Sequence, residues 1–148
     1  MNFKAIFHFI SYLQYPFMLI ALYFAFSPYL LGMEKLKENP DLLFQGFNSV
    51  LIFMGLGISF SSLQDTTKTQ NKLSRDIWED PKKGKITIVI MSLGIFLVLI
   101  LGLIGYLRAG NGILKDLSIG FIVFGLGMFG LLKAAIEMFE NHRKDKNI

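Results

Sequence analysis

The sequence has no cysteine among its 148 residues. That single absence removes disulfide frameworks, thiol nucleophiles, Cys-ligated zinc and iron–sulfur clusters together. Histidine is nearly as scarce, with only His8 and His142. Charge is thin as well: 18% of residues are charged against 53% hydrophobic, and the mean hydropathy of +0.50 exceeds that of ordinary soluble domains. Motifs of soluble enzymes are missing too. There is no Gly-x-x-x-x-Gly-Lys phosphate loop, no His-Glu-x-x-His, no Gly-x-Ser-x-Gly elbow and no pair of aspartates within an apolar run. The two Gly-Leu-Gly triplets, at 55–57 and 125–127, lie inside apolar stretches with no strand before them, so they are not dinucleotide fingerprints. No enzyme activity, cofactor or metal is expected.

What the sequence does have is long uncharged runs. No Asp, Glu, Lys or Arg occurs in 5–33, 42–64, 86–107 or 117–132, runs of 29, 23, 22 and 16 residues. A bilayer core about 30 Å thick needs roughly 20 apolar residues as a helix. Three runs reach that length, and the fourth does once Lys133 snorkels to the surface and 134–136 join it. The expected fold is an all-α membrane protein: a four-transmembrane-helix bundle in one domain, with spans at 5–33, 40–64, 86–107 and 115–139. An amphipathic cytoplasmic segment at 65–85 follows the second span, and a polar tail covers 140–148. The first span competes with a signal peptide, but Ala25-Phe26-Ser27 is a poor cleavage site and the run is too long, so it is read as retained.

Local signals refine these bounds. Pro16 and Pro28 fall within the first span and each can kink it. Asn39, Pro40 and Asp41 read as cap, first position and dipole partner of the second span. Leu63, Thr66, Gln70, Leu73 and Ile77 recur at three and four residues, with Lys72–Asp76 and Arg75–Glu79 at i,i+4. The second helix should therefore run on to about Glu79, or bend into an interfacial helix with Trp78 as a headgroup anchor. Asp80-Pro81 reads as a breaker and Pro81 to Lys85 as a turn plus a basic stop.

Basic residues set the orientation. Lys4, Lys68, Lys72, Arg75, Lys82, Lys83, Lys85, Arg143, Lys144 and Lys146 fall on one side, against Lys35, Lys37, Arg108 and Lys115 on the other. Both termini and the middle segment are thus expected on the cytoplasmic side of a cell inner (plasma) membrane. The net charge of +4 records this topology, and no nucleic acid is expected as a partner. Abundant Lys, Asn, Ile and Phe suggest a bacterial source. A shift of 70 residues lays Gly55-Leu56-Gly57 on Gly125-Leu126-Gly127 and Leu31-Gly32 on Leu101-Gly102, the mark of two tandem hairpins, though sequences this rich in Leu, Ile, Phe and Gly also match themselves by composition.

The candidate site residues are few. His8 lies with Ser11, Tyr12 and Tyr15 on a polar face, open to a proton-relay role or, more plainly, to an interfacial hydrogen bond. Along the second span Gln45, Asn48, Ile52, Gly55, Ser59 and Ser62 share a face. That face is either a water-accessible seam or a packing surface where small residues bring helices close and hydroxyls bond across. In the fourth span Gly120, Gly125, Gly127 and Gly130 also thin the helix, and Lys133–Glu137 form an i,i+4 pair near the end. Lys68, Lys72, Arg75, Trp78, Lys82 and Lys83 are candidate contacts to a partner or to anionic lipid. The expected function is that of an accessory or assembly subunit, in a homo-oligomer or larger membrane complex within the lipid bilayer. The alternative is a small homo-oligomeric channel or transporter lined by the polar face of the second helix.

Overall fold

The computed structural model describes residues 3–67 and 71–147, of which 86% are helix and none is strand. Four helical stretches are long and apolar enough to cross a membrane: Phe3–Leu30, Asp41–Ser61, Pro81–Arg108 and Ile113–His142.

The first stretch is two helices, α1 (Phe3–Ser11) and α2 (Gln14–Leu30). Pro16 has no N–H, so the Tyr12 carbonyl loses its partner one full turn ahead. The backbone tightens instead, with Tyr12 N donating to Phe9 O at 3.1 Å and Leu13 N to Ile10 O at 3.0 Å. Pro28 sits inside α2 without breaking it, and the Phe24 carbonyl that it leaves without an N–H accepts from the Ser27 hydroxyl at 3.2 Å. Gly32, at φ +93°, ends the run in a conformation that suits glycine. The following residues, expected as a loop, wind into the short α3 (Met33–Glu38).

Helix α4 spans Asp41–Ser61, and its start differs from expectation: the Asn39 side chain makes no capping bond. The backbone carbonyls of Asn39 and Pro40 serve instead, accepting from Leu42 N at 3.3 Å and Leu43 N at 3.1 Å. Nor does α4 run on to Glu79. It turns at 62–67, and a separate α5 (Lys72–Trp78) begins at Asn71, whose Oδ1 accepts from Ser74 N at 2.8 Å. Asp80 then caps α6 (Pro81–Arg108), accepting from Lys82 N at 2.9 Å and Lys83 N at 3.2 Å, with Pro81 in the first turn. The stretch expected as a turn and basic stop is thus the opening of the third long helix. Asp-Pro reads as a breaker from one direction and as cap plus first residue from the other. Helix α7 (Ile113–His142) starts after Gly112, at φ +134°, and extends past the expected end at 139 before a 3₁₀ turn at Lys144–Asn147.

Packing follows a row rather than a closed ring. Helix α2 packs on α4, α4 on α7 and α7 on α6, while α2 has no more than marginal contact with α6 or α7, nor α4 with α6. Stacked Phe17–Phe60 (5.3 Å) and Phe24–Phe53 (5.4 Å) join α2 to α4 as antiparallel neighbours. Phe96–Phe129 (6.1 Å) does the same for α6 and α7. Helices α4 and α7 run parallel, since Asn48 meets Gly120, Gly55 meets Gly127 and Ser62 meets Gly130 in rising order. The flanks stay apolar and open: only 11% of the most apolar 18 residues of Pro81–Arg108 is buried within the chain.

The 70-residue shift does not describe this packing. Gly55 faces α7, whereas Gly125, its counterpart, faces Leu99 of α6. Gly57 faces Met18 of α2, whereas Gly127 faces Gly55 of α4. Matched residues look towards different neighbours, as expected when shared composition alone makes the match.

Candidate functional site

Two regions carry polar chemistry: the seam between α4 and α7, and the end of the row where α1, the 62–67 turn, α5 and the tail of α7 converge.

Small residues dictate the seam. A methyl group added at Gly55 would lie 2.7 Å from the Val123 carbonyl oxygen and 2.8 Å from the Phe124 Cα. One added at Gly127 would fall on the Gly55 backbone. Backbone therefore meets backbone here, as glycine permits and larger residues do not. Either side of this crossing, Gly120 faces the Asn48 side chain and Gly130 faces Ser62. The Asn48 Oδ1 is buried with no hydrogen-bond partner. The hydroxyls do not bridge the helices: Ser59 donates to Gly55 O at 2.9 Å and Ser62 to Ser59 O at 2.7 Å, both within their own segment. Gln45 lies off the seam, exposed beside a groove of about 210 Å³ shared with Phe24, Ser27 and Pro28. His8 is apart from both, exposed on α1, with the Tyr12 hydroxyl 3.5 Å from its Nε2 and its carbonyl accepting from the buried Ser11 at 2.6 Å. Of the six residues expected on one face of the second span, Asn48, Gly55 and Ser62 face α7 directly and Gln45 lies off the seam, while His8, expected on a polar face of its own, sits apart on α1.

The polar end is a clasp. Trp78 packs inward with Ala135 and Phe139, bordered by Ile77, Ile88, Met91 and Met138, so α5 is pinned across α6 and α7. Its position is inside the chain rather than on a lipid-facing surface. Glu79 binds Arg75 at 2.6 Å and Lys144 at 2.7 Å, and Lys144 N also donates to Glu79 O at 3.2 Å. The Lys144 and Arg75 hydrogen bonds hold the Glu79 carboxyl below its ordinary titration range. The backbone bonds from Lys83 and Lys82 do the same for Asp80. Lys72, Lys82 and Lys83 are exposed, Lys83 lying 3.9 Å from Asp80; Lys68 falls outside the described residues. The Lys72–Asp76 pair is not among the ion pairs of the described residues, whereas Lys133–Glu137 forms at 2.6 Å on an exposed face.

The tail contributes what the sequence did not signal. The Asn141 Nδ2 lies 3.4 Å from Thr66 O, and His142 places Nε2 3.1 Å from Thr67 O and Nδ1 2.9 Å from Met138 O. A cleft of about 720 Å³ opens beside this clasp, lined by Phe3, Lys4 and Phe7, the 62–67 turn, and Lys133, Glu137 and Asn141. Among the described residues, no three His, Asp or Glu side chains gather to hold a metal ion.

Neither the protein-family models, nor the curated proteins, nor the solved structures include a match to this chain.

Proposed function

We propose that this chain is a small integral membrane protein of the cytoplasmic membrane, non-enzymatic, which serves as an accessory or assembly subunit. In this reading the four long helices cross the bilayer, and the clasp end, with both termini, faces the cytoplasm. One observation carries it: the long helices form an open row in which α2 and α6 each pack on a single long neighbour, leaving broad apolar flanks. A bilayer covers such flanks with lipid or with helices of a partner. The basic surface of Lys72, Lys82 and Lys83 adds a contact for a partner or for anionic headgroups.

The channel alternative needs the polar face of α4 to be open. Asn48, Gly55 and Ser62 instead face α7, and the backbones at Gly55 and Gly127 meet with no room for a path. Native mass spectrometry on the protein extracted gently from its own membrane tests the reading. Other chains retained at fixed stoichiometry are the expected result. A clean homo-oligomer with no other chain would favour the channel instead.

A further inference from the structure

The His142 ring lies between two hydrogen-bond acceptors. Its two ring nitrogens each point at a backbone carbonyl oxygen, Nδ1 at Met138 O (2.9 Å) and Nε2 at Thr67 O (3.1 Å). A carbonyl oxygen only accepts. A neutral imidazole has one N–H, so it satisfies one of the two and turns a lone pair on the other. Only the imidazolium donates to both. One of the two acceptors lies in the last turn of α7, where exposed carbonyls and the helix dipole favour a cation. The other belongs to the turn that leads out of α4.

We propose that His142 is a proton-operated latch, whose imidazolium ties the 65–67 turn to the end of α7 and whose loss of a proton releases the turn. The neighbouring charges are largely engaged with one another. Arg143 on the same tail binds Glu140 (3.1 Å) and lies 3.9 Å from Asp145. Lys144 binds Glu79, at the end of α5. On the turn, Asp65 accepts from Thr67 N (3.0 Å) and Thr67 Oγ1 (2.7 Å). Lys4 of α1 and the Lys133–Glu137 pair of α7 line the adjoining cleft. Trp78 and the Glu79–Lys144 pair hold α5 independently, so opening concerns the turn and leaves the packing of the long helices intact.

The test uses the full chain in lipid nanodiscs. The absence of cysteine allows spin labels at T66C and I136C alone, with their separation read by pulsed electron resonance. The expected result is one narrow distance at low pH and a broader, longer distribution at high pH. H142Q, which never carries a charge and holds both of its N–H donors on a single nitrogen, is expected to be broad at both, while H8Q keeps the transition. A distribution that is narrow at both pH values, or a transition that survives H142Q, would overturn the latch. Nitrogen-15 spectra of labelled histidine in the H8Q background supply a second reading. Both ring nitrogens should be protonated while the turn is closed, and a neutral tautomer in the closed state would equally overturn it.

Discussion

Gly127 and Asn48 show how one seam can hold both a backbone-to-backbone contact and a buried polar atom without a partner. At Gly127 any side chain meets the Gly55 backbone, which cannot rotate away as a side-chain tip can. Gly127→Leu should therefore force α4 and α7 apart and lower the unfolding free energy by about 1–3 kcal/mol, the usual cost of overpacking. Gly94 is the control, because nothing lies within 4 Å of its added methyl, so Gly94→Ala should leave stability unchanged or slightly raised. Reversible unfolding in a graded series of denaturing detergent reads both. Asn48 works in the opposite direction. Its Oδ1 is buried without a partner, and such a group costs about 1–3 kcal/mol. Asn48→Ala removes the orphaned oxygen and should match or exceed the parent in the same assay. A clear loss would mean that the amide bonds a partner outside this chain. The sequence already singled out Asn48, Gly55 and the glycines of α7 by spacing. It did not show that Ser59 and Ser62 would bond within their own segment, because a hydroxyl three or four residues from a carbonyl can satisfy itself without a partner helix.

At the level of elements, the segment between α4 and α6 was the hardest to read, and for a definite reason. Its three- and four-residue spacing suits one continuous helix and two short ones equally well. Asn71 and Asp80 decide between them, since each accepts N–H bonds from the residues after it and so starts a new helix. The clasp that then holds α5 has a pH dependence of definite sign. Glu79 titrates below its ordinary value of 4.5 because Lys144, then Arg75, bind its charged form. Its contribution is complete above that ordinary value and disappears as pH falls through the lower folded-state value. Trp78 is the only tryptophan and packs against the same end of α7, so its fluorescence reports the event. Acidification below 4.5 should shift its emission to the red as α5 loosens. Lys144→Ala should move that shift to higher pH, and Glu79→Gln should flatten it.

For the whole molecule, the count of long helices and the hairpins α2–α4 and α6–α7 were legible, because charge-free runs and the short connections between them set both. The order of the row was not. Both hairpins carry thin, glycine-bearing faces, and nothing in the spacing says that α4 meets α7 while α2 is left with a single neighbour. What the row does fix is which segments share an end. Residues 31–40 and 109–112 lie at one end, and the N-terminal residues of α1, the 62–67 turn, α5 and the tail lie at the other. Lysine and arginine are concentrated at the second end, and basic residues near the ends of spans are retained on the cytoplasmic side. A cysteine introduced at Gly110 should therefore react with an impermeant maleimide added to intact cells, while one at Asp76 should react only after the membrane is opened. Gly110 has open space around it and Asp76 is exposed, so neither result is a matter of burial. Labelling at Asp76 with protection at Gly110 would invert the protein and put the latch, the clasp and the basic surface outside the cell. Labelling of both positions in intact cells would mean that the four helices do not all cross, and the membrane reading itself would fall.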